Sequence, residues 1–206
     1  MSTNSGRDDS SSTALRVAIG IAATRLFAEL GYRQVSMQAL AEAAGCTKAT
    51  VYYHFGSKEA VFRESIRAQV ARYVEELRNG YGTPAPVRDR LIAALTRFFD
   101  CLRVDPQGLR LLYRAVLAPD DGQPVLDAAQ IRSLPIQLTV ALLREGIEAG
   151  EVRADMDVED AVLTLLGMVE QRCRRLQVEG VPMPDDLPGR LVDIFFNGAR
   201  RRAGRD

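Results

Sequence analysis

The sequence predicts an all-α protein, and three observations carry that prediction. Residues 36–58 read as two short helices joined by a tight glycine turn, a helix-turn-helix. Beyond Phe62 the apolar residues recur at the i, i+3, i+4, i+7 spacing of amphipathic helices. No segment alternates apolar and polar residues as a half-buried strand does, and no internal repeat occurs.

Within the helix-turn-helix, Ser36 can cap the first short helix, its hydroxyl accepting an orphan N–H of the first turn. Leu40, Ala41 and Ala44 put small apolar groups on the inner face, which lets two helices cross closely. Gly45 stands where that helix must stop, because glycine reaches the left-handed conformation without steric cost. Thr47 caps the second helix, and Val51 with Phe55, four residues apart, forms its buried stripe. Lys48, Ala49, Thr50, Tyr52, Tyr53 and His54 face outward or flank that stripe. Polar, basic and aromatic groups crowded on one exposed face are what a DNA-reading helix needs. The chain's only lysines, Lys48 and Lys58, and its only histidine, His54, all fall in this stretch.

Ser57 caps a third helix that carries Glu59 in its first turn and Val61, Phe62, Ile66, Val70, Tyr73, Val74 and Leu77 along one stripe, ending at Asn79-Gly80. Residues 82–86 break the chain. Leu91, Ile92, Leu95, Phe98, Phe99 and Leu102 mark the next helix. Asp105-Pro106 starts another, with Leu109, Leu112, Tyr113 and Val116. A turn over residues 119–124 follows. The helical segment after it is expected to be interrupted near Pro135, with Ile136, Val140, Leu143 and Ile147 leading to a stop at Gly150. Val158, Val162, Leu165, Val169 and Leu176 mark the penultimate helix, and Leu187, Leu191, Ile194 and Phe195 the last.

Composition narrows the function classes. Twenty-seven basic residues balance twenty-seven acidic ones, so no broad basic field marks a nucleic-acid binder; binding would rest on a few placed cations and on two copies. The salt dependence of binding should therefore be modest. No apolar run is long enough to span a membrane. Met1–Ser12 is rich in Ser, Asp and Asn and lacks an apolar core, so it reads as a disordered arm rather than a secretory signal. Cys46, Cys101 and Cys173 have no metal-ligand spacing and suit a reducing cytoplasm. Cys46 is either a small turn residue or, less simply, a redox switch beside the second helix. No Ser/His/Asp set, metal cluster or phosphate-binding glycine loop accompanies His54. The expectation is no enzyme, no metal and no cofactor.

The residues Leu40-Ala41-Glu42-Ala43-Ala44-Gly45, Val51-Tyr52-Tyr53-His54-Phe55 and Lys58-Glu59 give the chain a close resemblance to the TetR family of bacterial transcriptional repressors over Ala14–Phe62. Leu15, Ile19, Ala22, Ala23, Leu26 and Phe27 match that family's first helix, and Gly31-Tyr32 its stop. Cys46 and Ala49 depart from the commoner residues. The resemblance implies an arm over 1–12, a helix-turn-helix DNA-binding domain over 13–62 and a helical ligand-binding and dimerisation domain over 63–206. It implies that Ser36, Lys58, Tyr52 and His54 hold phosphates of a double-stranded operator while Thr47, Lys48, Ala49, Thr50 and Tyr53 line its major groove. Tyr52 could instead pack between helices, His54 could serve a helix end, and Ser36 and Thr47 cap whatever else they do.

The second half resembles the family less closely. Leu109–Arg114, Leu142–Val152 and Gly167–Leu176 are similar to the multidrug-efflux repressors. The family's pattern implies a homodimer through a four-helix bundle formed by Asp157–Val178 and Asp186–Arg202, with Val162, Leu165, Leu166, Val169, Leu191, Ile194 and Phe195 at the interface. The same residues could simply complete the monomer core. A pocket for a hydrophobic small molecule would be bounded by Phe98, Phe99, Leu102, Tyr113, Val116, Leu138, Leu142, Met168 and Gln171, each of which could equally be ordinary core. Ligand binding would tilt the helix that starts at Lys58 and so change the separation of two reading heads. The resulting expectation is a ligand-released repressor. The rival is a helical architectural or adaptor protein without ligand control.

Overall fold

The computed structural model describes residues 5–197, with side chains from residue 12 onward. Its helices are α1 (Ser5–Leu30), α2 (Met37–Ala43), α3 (Lys48–Phe55), α4 (Lys58–Tyr81), α5 (Val87–Val104), α6 (Pro106–Leu117), α7 (Ala128–Glu148), α8 (Val158–Glu179) and α9 (Leu187–Asn197). No strand occurs among the described residues, so the all-α expectation stands. No helix among them is long and apolar enough to cross a membrane.

The chain forms two compact units, one of residues 1–71 with 105–126, the other of residues 72–104 with 127–206. In the first, Phe27, Tyr32 and Phe62 form an aromatic knot, with ring centroids 5.1 Å apart for Phe27–Phe62 and 5.0 Å for Tyr32–Phe62. Ile19, Ala23, Val35, Leu40, Ala41, Val51 and Val61 are buried around it. Small side chains at Ala22, Ala23 and Ala41 let α1 and α2 approach closely. The unit also takes in α6, which packs along α1. Arg114 explains how a helix so distant in sequence joins it. Its Nη1 donates to the carbonyl of Glu29 at 3.0 Å, at the open end of α1, while Nη2 pairs with Asp120 at 3.2 Å. Gly31 ends α1 at φ 82°, and a Cβ there would lie 2.0 Å from Asp120 Oδ2.

In the second unit, α5 packs against α7 and α9, and α8 against α7 and α9. Phe99, Leu91, Leu142, Leu143, Val162, Leu165 and Val192 form its buried centre. Gly80 lets the end of α4 touch α5, since a Cβ there would meet Ala94 Cα at 2.1 Å. Glu151 caps the start of α5, accepting from Val87 N at 2.6 Å.

Three expectations are corrected here. The arm read over 1–12 is helical from Ser5 onward, continuous with the rest of α1. Polarity alone does not separate a solvated turn of helix from coil. Residues 1–4 and the tail beyond 197, including Arg200–Arg202, lie outside the described residues. The region from 63 onward, read as one domain, is shared between the two units, because α6 answers to α1. Finally, α7 runs unbroken through Pro135. Thr139 Oγ1 donates to the Pro135 carbonyl at 2.8 Å and lies 2.8 Å from the Tyr81 hydroxyl. Having spent its one proton, Thr139 must accept from Tyr81, and this buried chain fastens the turn after the proline.

Candidate nucleic-acid interface

The site is built from α2, α3 and the turn between them. Ser36 (φ −109°, ψ 158°) caps α2, its Oγ accepting from Ala39 N at 3.0 Å. Gly45 turns the chain at φ 67°. Cys46 N donates back to Ala41 O at 2.9 Å, closing the turn. Thr47 Oγ1 then accepts from Thr50 N at 3.1 Å and touches Thr50 Oγ1 at 2.8 Å. Val51 is fully buried and is the anchor of α3, whereas Phe55 is only half-buried. Gly56 leaves the helix at φ 77°, its N–H returning to Tyr52 O.

With one face committed, the opposite face of α3 is open. Lys48, Ala49, Tyr52 and Tyr53 are exposed, Tyr53 to 82% and Tyr52 to 46%, while Thr50 and His54 are half-buried. An exposed pair of tyrosines on so short a helix is surface that folding does not use. Lys48 Nζ lies 6.0 Å from the Tyr52 ring centroid, and the Tyr53 and His54 rings meet edge to face at 5.2 Å. The face therefore presents one cation, three rings and the hydroxyls of the first turn. Such groups can hydrogen-bond and stack.

Lys58, which the resemblance gives as a phosphate contact, already has partners within the chain. Its Nζ donates to Arg33 O at 3.2 Å and sits 4.4 Å from the Tyr32 ring centroid. Burial holds its pKa below the usual lysine range. Ser57 beside it caps α4 through Ala60 N at 3.1 Å. The sequence reading also missed Arg16, whose Nη1 donates to the His54 carbonyl at 2.6 Å. No local pattern links α1 to a residue that far along the chain.

The other expected site residues fall in both units. Tyr113 and Val116 belong to the first unit; Phe98, Phe99, Leu102, Leu138, Leu142, Met168 and Gln171 belong to the second. Phe99, Leu102 and Leu142 are buried core, Phe98 packs edge to face on Tyr73 at 5.4 Å, and Gln171 is exposed. Of the expected interface, Val162, Leu165, Val169 and Leu191 are buried within the chain itself. They complete the monomer core, because α8 turns that stripe towards α7 and α9. The surface left on these helices is Leu163, Val178 and Ile194, all exposed, with Leu166 and Phe195 half-buried.

Comparison with known proteins agrees with this geometry. The family profile described as "Bacterial regulatory proteins, tetR family" matches residues 21–65. The HTH-type transcriptional repressor AcnR of Corynebacterium glutamicum is 30% identical over 66% of this chain and 68% of its own. The HTH-type transcriptional activator FasR of Mycolicibacterium smegmatis is 36% identical over 45% of this chain, a match that spans 42% of that protein. A fatty acid metabolism regulator protein of Bacillus subtilis is 23% identical over 73% of this chain and 77% of its own. Among solved structures, the fatty acid degradation regulator FadR of Bacillus halodurans superposes with a TM-score of 0.77 at 22% identity, over 91% of this chain and 97% of that one. FadR of Bacillus subtilis, in complex with stearoyl-CoA, gives 0.75 at 21% identity, over 89% and 99%. At such identities the two structures show the fold. The expected likeness to multidrug-efflux repressors is not supported; two of the proteins named here are described as regulators of fatty acid metabolism or degradation.

Proposed function

The chain belongs to the TetR family of bacterial regulatory proteins and is a helix-turn-helix transcriptional regulator, and we propose that it is a dimeric repressor released from its operator by a long-chain acyl ligand. The exposed face of α3 carries the first half of this reading. Lys48, Ala49, Thr50 and Tyr53 would meet base edges in the major groove, with Thr47 at the entry. Ser36, Tyr52, His54 and Lys58 would meet phosphates and fix the register. For Lys58 this requires a phosphate oxygen to approach an ammonium already seated on Tyr32 and Arg33 O. Two copies reading successive major grooves call for a palindrome with half-sites about one helical turn apart.

The dimer would form through the apolar surface that α8 and α9 leave uncovered, Leu163, Leu166, Val178, Ile194 and Phe195, rather than through the stripe already buried. The effector class follows from the relatives: a regulator of the same fold is solved with stearoyl-CoA. A long acyl chain would enter the helical second half, where Phe98, Leu138 and Met168 are half-buried. Release then requires that the ligand bind one state better than the other.

Selecting bound DNA from a random pool tests the first half. An enriched palindrome supports a dimeric sequence-specific regulator, and no enrichment at low salt sinks it. Titrating the selected complex with acyl-CoA thioesters of increasing chain length tests the second. Release together with a raised melting temperature of the free protein supports an acyl effector. Neither effect at any chain length removes it.

A further inference from the structure

We propose that Arg16 is the positioning residue of the reading helix, a role that rests on α3 being the element that faces DNA. Arg16 lies on α1, outside the residues matched by the family profile. One guanidinium group makes three contacts there. Nη1 donates to the His54 carbonyl at 2.6 Å, the group lies 4.5 Å from the centroid of the Phe55 ring, and Nη2 pairs with Glu64 Oε1 at 3.5 Å. Three helices thus meet at one side chain.

The need for such a contact follows from the shape of α3. It has eight residues, and Val51 alone among them is fully buried. So short a helix is not stable by itself, since nucleation costs more than a few hydrogen bonds return. Its orientation depends on what holds its two ends. Thr47 holds the first. At the other end the last carbonyls have no helical partner, and Gly56 turns the chain away with its N–H spent on Tyr52 O. Arg16 takes up the His54 carbonyl there and sets a positive charge against the negative end of the helix dipole. A rotation of α3 about its axis would break the hydrogen bond and slide Phe55 from beneath the guanidinium. The angle at which Tyr53, Thr50 and Lys48 are presented is therefore fixed partly from α1. Arg16 itself, engaged on His54, Phe55 and Glu64, needs no phosphate to complete it.

The test compares the full-length protein with Arg16→Ala and Arg16→Lys, well below their melting temperatures, on the DNA selected above. Amide exchange of residues 51–56 is measured in parallel without DNA. The expected result for Arg16→Ala is affinity lower by roughly tenfold, about one charge-assisted hydrogen bond, with an unchanged dependence on salt and faster exchange at the end of α3. Arg16→Lys keeps the charge but not the planar fork, so it should recover little. A salt slope reduced by about one per subunit, with Lys restoring affinity, would make Arg16 a phosphate contact and overturn the proposal. Unchanged affinity and exchange in Arg16→Ala would overturn it too. If the unaltered protein binds no DNA, the DNA reading falls and the positioning role with it; the exchange data still report whether Arg16 holds the end of α3.

Discussion

Thr47 holds the start of α3 with a single hydroxyl, accepting from Thr50 N. Replacing it with alanine should cost about 1 kcal/mol, while serine should cost little, as urea unfolding can show. The three thiols divide by burial. Cys101 and Cys173 are buried and Cys46 is half-buried. Burial, with Glu170 adding its charge, pushes the Cys173 thiol up to about 12. Brief alkylation of the native protein should therefore mark Cys46 alone, and denaturant should open all three, a difference that peptide mass spectrometry reads directly. Residue-scale features were legible in the sequence wherever the partner is near. The caps at Ser36, Thr47 and Ser57 each accept from an N–H three residues on. Arg16 and Lys58 were not legible, since their carbonyl partners lie 38 and 25 positions away.

Among the elements, α1 depends on Gly31 to end and on Arg114 to close its last carbonyls. In Gly31→Ala the left-handed backbone costs about 1–2 kcal/mol, and the new Cβ drives against the Arg114–Asp120 pair. The melting temperature should fall by about 2–4 °C for each kcal/mol lost, and calorimetry would measure it; an unchanged value would mean that the loop simply moves aside. Helical stripes made the elements easy to find and their faces hard to assign. Periodicity shows that Val162, Leu165 and Val169 share a side of α8 but not whether that side meets α9 or another molecule. Only packing decides, and it puts them inside. Pro135 misled for a related reason: its cost is local, while the Tyr81–Thr139 hydroxyl pair that accompanies it is assembled from α4 and α7.

For the whole molecule, stability should decline on the alkaline side. Burial raises the Tyr81 hydroxyl above its ordinary 10.0. Cys173 moves the same way from 9.0. In each case the folded state keeps a proton that the unfolded chain has already released. The contribution is therefore whole below the unfolded values and is lost as pH rises from about 9 through 12. Denaturation midpoints measured across that window should fall, and Tyr81→Phe should flatten the decline; a flat profile for the unaltered protein would contradict the burial of both groups.

Lys48 stands open on α3, and Lys58 lies against Tyr32 at the start of α4. No other lysine exists in the chain, so every side-chain amine belongs to the unit that carries the helix-turn-helix. Acylating dyes, biotin esters and amine-coupled sensor chips will consequently attach the molecule either at its α-amino group or through the surface proposed to read DNA. Molecules held through that surface would be silent in a binding assay although fully active. The DNA, and not the protein, is the partner to immobilise.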